Sequence, residues 1–127
     1  MTKWLLIAAG GAFGSVLRYA IQGWVQRAAE SSFPAGTLVV NVVGCILIGF
    51  LTAAFTGPVL IREEYRIGLT VGILGGFTTF STFGLETFML ATDRQFLLAA
   101  ANVALSCGLG FVAVWLGFRA AEYWFGV

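Results

Sequence analysis

Three long stretches of the chain contain no charged residue, and this feature constrains the fold more than any other. They cover residues 33–61, 67–85 and 95–118, and a fourth apolar stretch over residues 4–25 is interrupted only by Arg18. A transmembrane helix needs about 20 predominantly apolar residues to cross a bilayer. The first stretch begins like a signal peptide, but its helical pattern continues past any cleavage point. The sequence therefore predicts an all-α membrane protein with four transmembrane helices per chain.

Composition indicates lipid rather than water as the solvent. Of the 127 residues, 59% are hydrophobic and 10% are charged, against about 45–50% and about 25% in an ordinary soluble domain. A small soluble fold buries too little surface to hide so much apolar area. Residues 1–127 are therefore predicted to form a single four-span transmembrane domain.

The same composition argues against two classes of function. The net charge of +1 and the lack of a basic run disfavour nucleic acid as a partner. The chain has no histidine, so Ser81 has no such base to activate it, and Glu86 is the only acid inside a predicted span. Cys45 and Cys107 form no CxxC motif and are predicted to be buried packing residues. An enzyme is therefore not expected.

Positive charges beside the spans hardly favour one orientation in the membrane. An even number of spans puts both termini and the middle loop on one side, with Lys3, Arg62, Arg66 and Arg119, and leaves the other side with Arg18, Arg27 and Arg94. Cytoplasmic loops normally carry an excess of such charges. Two interpretations stay open: the insertion machinery reads a weak signal correctly, or the chain inserts both ways and pairs with an inverted copy of itself.

Small residues recur at every fourth position in three predicted spans. The sets are Gly10 and Gly14, then Gly68, Gly72 and Gly76, and finally Ala100, Ala104 and Gly108. Such faces let helix backbones approach closely in lipid. Because four helices are few to enclose a solute pathway, at least a dimer is expected.

The third span contains a polar and aromatic run that is unusual for a membrane helix. Residues 75–83 read Gly-Gly-Phe-Thr-Thr-Phe-Ser-Thr-Phe, and several of these are poor helix formers. A break here would free backbone carbonyls that lipid cannot satisfy, and broken helices at mid-membrane recur in ion sites. The alternative is a kinked helix whose hydroxyls bond to the preceding turn.

Side chains beyond the predicted break fall into two sectors. At about 100° per residue, Thr78, Thr82 and Glu86 form a polar stripe, whereas Phe80 and Phe83 occupy another sector. Aromatic ring edges carry the positive end of the ring quadrupole. Hydroxyl donors beside such edges suit the path of a small, strongly hydrated anion, and ordinary aromatic packing is the alternative.

The remaining intramembrane polar residues each allow two interpretations. Asn41, Asn102 and Ser106 are either interhelical contacts or hydrogen-bond donors at a pore mouth. Arg18 either extends its charge to the membrane interface or draws anions into an aqueous vestibule.

Three segments resemble the Fluc (CrcB) family of fluoride channels, and the resemblance extends along essentially the whole chain. The segments are residues 14–19, 36–44 and, most specifically, 75–83. The resemblance implies a dual-topology homodimer in the bacterial inner membrane that exports cytoplasmic fluoride passively through two antiparallel pores. This arrangement would explain the balanced flanking charges.

The resemblance also implies roles for individual residues. The implied pore lining consists of Phe80, Phe83, Asn41, Ser81, Thr82, Glu86 and Ser106. The backbone carbonyls of Gly75 and Thr78 from both subunits would hold a central structural sodium ion, and Arg18 and Thr37 would belong to the vestibule. One departure is Asn102, where some relatives carry a tyrosine.

Two other functions compete with a fluoride channel. A small four-span, dual-topology drug/proton exporter needs an acid in its first span, but the first span here has Arg18 and no acid. A membrane subunit that transports nothing is the other competitor, and it would pass no ion in liposomes.

Overall fold

A computed structural model describes residues 1–57 and 59–126, and four of its helices are long and apolar enough to cross a membrane. In chain order the elements are α1 (Thr2–Ala29), α2 (Ala35–Thr56), α3 (Glu63–Ile67), a π-helical segment (Gly68–Leu74), α4 (Gly75–Phe77), α5 (Phe80–Thr92) and α6 (Phe96–Phe125). The third span, Glu63–Thr92, comprises everything from α3 to α5. The prediction of an all-α fold with four spans is confirmed.

The third span is interrupted in its middle. Thr78 and Thr79 both have extended backbone conformations, with φ/ψ of −88°/160° and −152°/121°. The predicted break is therefore confirmed, and it divides the span into a first half, Glu63–Phe77, and a second half, α5. The first half contains a π-helical segment that ends at Leu74, just before α4, and such segments are frequent at functional sites.

Contacts at the helix ends give the alternating topology that four spans require. On one side Lys3 Nζ lies 3.6 Å from Glu63 Oε1, so the N-terminus meets the start of the third span. On the other side Ser32 Oγ donates a hydrogen bond of 3.0 Å to Gln95 Oε1. The first and third loops are thus neighbours at the opposite end of the bundle.

Glycines bring α1 against the first half of the third span. A Cβ atom at Gly14 would overlap the Ile73 carbonyl, and one at Gly10 would lie 2.8 Å from the Gly68 carbonyl. From the opposite side, a Cβ at Gly76 would press on the Gly11 backbone. The predicted close contact through small residues is confirmed for these two spans.

The fourth span packs differently from the prediction. α6 meets α2 through Gly117 and Gly49, where a side chain would overlap the backbone of the opposite helix. The predicted stripe of Ala100, Ala104 and Gly108 is instead exposed on the single chain. Cys107 is also exposed, so its expected burial is wrong for the isolated chain, whereas Cys45 is partly buried. The contact with α2 is made by the face of α6 that contains Ala113 and Gly117, so the stripe stays a prediction for a contact outside the single chain.

Candidate ion pathway

Asn41, in the second turn of α2, connects the break to this helix by hydrogen bonds. Its Nδ2 donates to the Thr79 carbonyl at 3.0 Å, and its Oδ1 accepts the Thr79 backbone N–H at 2.8 Å. The paired bonds satisfy the backbone N–H and C=O of Thr79 at the break, where water is not there to do so. Gly44, one turn further along α2, has no side chain and leaves room for the Thr78 methyl group.

These bonds leave specific carbonyls of the first half without their helical donors. In a continuous helix the Thr79 N–H would bond to the Gly75 carbonyl and the Thr82 N–H to the Thr78 carbonyl. Here Asn41 takes the first N–H, and the Thr79 hydroxyl oxygen accepts the second at 3.2 Å as the N-cap of α5. The break thus leaves the Gly75 and Thr78 carbonyls without their helical donors.

Arg18 supplies a donor to a third carbonyl at the break. Its Nε donates to the Gly76 oxygen at 3.0 Å, across the contact between α1 and α4. The guanidinium is therefore directed at the break, and its terminal nitrogens remain for other partners. Neither of the two sequence interpretations of Arg18 included this bond.

The polar stripe predicted downstream of the break needs one correction. Thr78 precedes α5, and its hydroxyl donates back to the Leu74 carbonyl at 3.0 Å. Only Thr82 and Glu86 therefore lie on α5, one turn apart. This hydrogen bond to the preceding turn is the one expected for a kinked helix. Here it lies at the end of the first half, and the helix does not continue past it.

Phe80 and Phe83 open the second half as an aromatic pair. Their ring centroids lie 5.5 Å apart with the planes tilted by 46°, and Phe80 is 83% exposed on the single chain. Beside them the Thr79 hydroxyl donates to Thr82 Oγ1 at 3.0 Å and lies 3.4 Å from Ser81 Oγ. The ring pair and the hydroxyl contacts therefore both lie at the start of α5, and their role as the lining of a path stays a prediction.

A cavity of about 340 Å³ opens at the break. Gly75, Thr78, Asn41 and Phe80 are among its lining residues. The residues predicted to hold a cation and two of those predicted to line a pore therefore share one depression in the surface of the chain.

A larger cavity of about 670 Å³ lies between α1 and α5. Gln22 and Glu86 contribute to its wall, and buried Thr37 links them: Gln22 Nε2 donates to Thr37 Oγ1 at 2.7 Å, and Thr37 donates to Glu86 Oε1 at 2.8 Å. The predicted vestibule residue Thr37 and the predicted pore acid Glu86 are thus directly bonded.

Asn102 connects α6 to α5 and is only 2% exposed. Its Nδ2 donates to Thr87 Oγ1 at 2.9 Å, and Thr87 in turn donates to the Phe83 carbonyl. Ser106 is attached to the same contact through a long bond of 3.4 Å to Asn102 Oδ1. Of the two interpretations offered for Asn102, the geometry therefore favours the interhelical contact.

The family model described as CrcB-like protein, Camphor Resistance (CrcB), matches residues 5–118. The chain belongs to the CrcB family. A CrcB relative from Geobacter sulfurreducens, named fluoride-specific ion channel FluC, is 50% identical over 122 residues, which cover 96% of this chain and 98% of the relative. A protein of the same name from Geobacter metallireducens is 48% identical, over 92% of this chain and 94% of the relative. Another from Rhodospirillum rubrum is 50% identical, over 90% of each chain. With its four apolar helices, this CrcB chain is a multi-pass bacterial membrane protein.

Sequence reasoning missed two residues of this CrcB site. Thr79 caps α5 and carries both bonds to Asn41; a threonine immediately before the first residue of a helix is a signal that could have found it. Gln22 looked like an ordinary polar residue near the end of its span, and no sequence signal connects it with Thr37.

Proposed function

We propose that this chain is a fluoride-selective ion channel that exports cytoplasmic fluoride passively. The observation that carries the proposal is the near-complete coverage, at about half identity, by relatives named fluoride-specific ion channels. The paired rings of Phe80 and Phe83 beside the hydroxyls of Ser81 and Thr82 support it chemically, since both groups present positive edges or hydrogens to an anion.

The proposed path replaces the hydration of the anion without holding it tightly. Residues 67–85 carry no charge, so an ion between the rings and the hydroxyls meets several weak donors, and the one cation at the break within the described residues, Arg18, is bonded to the Gly76 carbonyl. Conduction requires binding that is favourable enough for entry and weak enough for release. The pore lining retained in the proposal comprises Asn41, Phe80, Ser81, Thr82, Phe83, Glu86 and Ser106, with Arg18 and Thr37 at the vestibule.

The proposed working unit is an antiparallel homodimer with two pores. Phe80, Ser81 and Gly75 are exposed on the single chain, so a path built on them needs a second surface to close it. The flanking charges of four against three are compatible with insertion in both orientations. An inverted second copy would supply the same groups from the opposite direction.

A sodium ion at the centre of this dimer fits the residues present. The Gly75 and Thr78 carbonyls lose their helical donors to Asn41 and Thr79, and backbone carbonyls are hard oxygen ligands of the kind such a cation prefers. Two inverted copies would contribute four of these oxygens. When bound, the ion would offset the partial charges of the carbonyls and hold the two breaks together.

Ion efflux from liposomes that contain only this protein tests the channel proposal. Fluoride should leave the vesicles rapidly, and chloride should leave no faster than from protein-free vesicles. Release of neither ion would favour a membrane subunit without transport activity. Proton-coupled movement of an organic cation without fluoride flux would favour the drug exporter.

Orientation is tested separately by adding lysines to one side. Two versions locked in opposite orientations should each lose function and recover it when they are produced together. One locked version that works fully by itself would contradict the inverted dimer but not fluoride conduction.

A further inference from the structure

A chain of three side chains connects α1, α2 and α5 at the wall of the larger cavity. It runs from Gln22 through Thr37 to Glu86, with donor–acceptor distances of 2.7 and 2.8 Å. In it the Gln22 amide nitrogen donates to Thr37 Oγ1, and the single hydrogen of the Thr37 hydroxyl is donated to Glu86. The second carboxylate oxygen, Oε2 of Glu86, is buried and has no hydrogen-bond partner within the described residues.

Thr37 uses its hydrogen differently from other threonines in the helices of this chain. Five of them donate to the carbonyl four residues earlier: Thr56, Thr70, Thr78, Thr87 and Thr92. The equivalent acceptor for Thr37 is the Phe33 carbonyl, which already accepts the Ala35 N–H at 2.8 Å and Gln26 Nε2 at 3.0 Å. The hydroxyl hydrogen of Thr37 therefore reaches across to Glu86.

We propose that Gln22 is a positioning residue that holds the Glu86 carboxylate against the cavity wall. By donating to Thr37 Oγ1, it fixes the hydroxyl so that its hydrogen is directed at Glu86. Glu86 lies one turn beyond Thr82 on α5, so the two side chains lie on the same side of that helix. A carboxylate released into the cavity would repel an approaching anion. This inference rests on the proposed fluoride conduction and deepens it.

Substitution of Gln22 with and without the Glu86 charge tests the proposal. Gln22→Met keeps the size of the side chain and removes the donor; we expect it to slow fluoride efflux about fivefold, the factor for one net hydrogen bond. In a Glu86→Gln background, where a neutral amide cannot repel the anion, the same substitution should change efflux by less than about twofold. A merely structural role for Gln22 would give equal losses in both backgrounds, and that result would overturn the proposal.

Gln95 provides the matched control. It lines the same cavity, but its side chain accepts a hydrogen bond from exposed Ser32 and takes no part in the chain to Glu86. Whatever Gln95→Met does to efflux, its effect should be the same with Glu86 and with Glu86→Gln. Coupling as large as that of Gln22 would mean that any change in the cavity wall acts on Glu86, which contradicts a specific role for Gln22.

Infrared spectroscopy provides a measurement that does not depend on transport. The carboxyl band of Glu86 is identified by its loss in Glu86→Gln. It should shift in Gln22→Met, which no longer holds the Thr37 hydroxyl, and in Gln22→Glu, whose carboxylate draws the Thr37 hydrogen towards residue 22. An unchanged band in both variants would overturn the proposal. A parental protein that passes no fluoride would contradict the proposed function, whereas the band shift would still decide whether Gln22 positions Glu86.

Discussion

The two halves of the third span, although contiguous in sequence, are held in different ways. The first half is packed backbone to backbone against α1, with Gly72, Leu74 and Phe77 buried. In α5 only Leu90 is buried among the described residues, and Phe80 is largely exposed. The first half is therefore positioned by its own chain, whereas the second half presents rings and hydroxyls that only lipid or a second copy can cover.

The largest expected effect is on stability, and it comes from comparing a methyl group added where α1 faces the first half with one added on α5. Gly14→Ala would force a Cβ into the Ile73 carbonyl facing it, and we expect about 3 kcal/mol of destabilisation, the upper end of the usual range for overpacking. A Cβ atom at Gly84 on α5 would meet no atom of the described residues within 4 Å, so Gly84→Ala should change stability by at most about 1 kcal/mol. Thermal unfolding followed by tryptophan fluorescence measures both. Equal unfolding midpoints would show that the halves are not held differently.

Removing the aromatic rings should affect transport rather than folding. Phe80→Ile and Phe83→Ile keep apolar bulk but lose the ring quadrupole, so each should slow fluoride efflux at least about tenfold. Phe88 lies on the same helix and is also exposed, and Phe88→Ile serves as the control with near-parental efflux. Parental efflux through both ring variants would mean that these rings only pack.

Asn41→Asp should impair both transport and the break. The carboxylate places negative charge where the anion passes, and it cannot donate to the Thr79 carbonyl. We expect the unmet hydrogen bond alone to lower the free energy of unfolding by about 1–3 kcal/mol. Asn102→Asp removes an equivalent donor at the contact between α5 and α6. It should lower the unfolding midpoint with a smaller loss of efflux; an equal loss of efflux would remove the distinction between the two asparagines.

Thr78→Ser should have the smallest effect. Serine keeps the hydroxyl that bonds to the Leu74 carbonyl and keeps the backbone carbonyl, and it loses only the methyl group packed at Gly44. We expect a cost of about 1 kcal/mol or less and parental fluoride efflux.

A Cβ at Gly75 would meet no described atom closer than 4.0 Å in the single chain, so Gly75→Val should fold but crowd the paired breaks. Efflux that Gly75→Val leaves intact would argue against a second copy at this surface.

The sequence determined the features that depend on local chemistry. The lengths of the apolar stretches predicted the four spans. The run at residues 75–83 predicted the position of the break, because several of its residues are poor helix formers. The spacing of four between glycines also anticipated that the first and third spans each have a closely packed face, but not that these two faces meet. Each of these depends on residues that are neighbours along the chain.

Tertiary structure alone decided which neighbour each helix face meets. Spacing placed Ala100, Ala104 and Gly108 on one face, but that face is exposed, since lipid and helix are equally apolar and no hydrophobic signal separates them. Thr78 left the predicted stripe because α5 restarts only after its Thr79 cap. Gln22 and Glu86 are far apart in sequence, and only the packing of α1, α2 and α5 around Thr37 brings their hydrogen bonds into one chain.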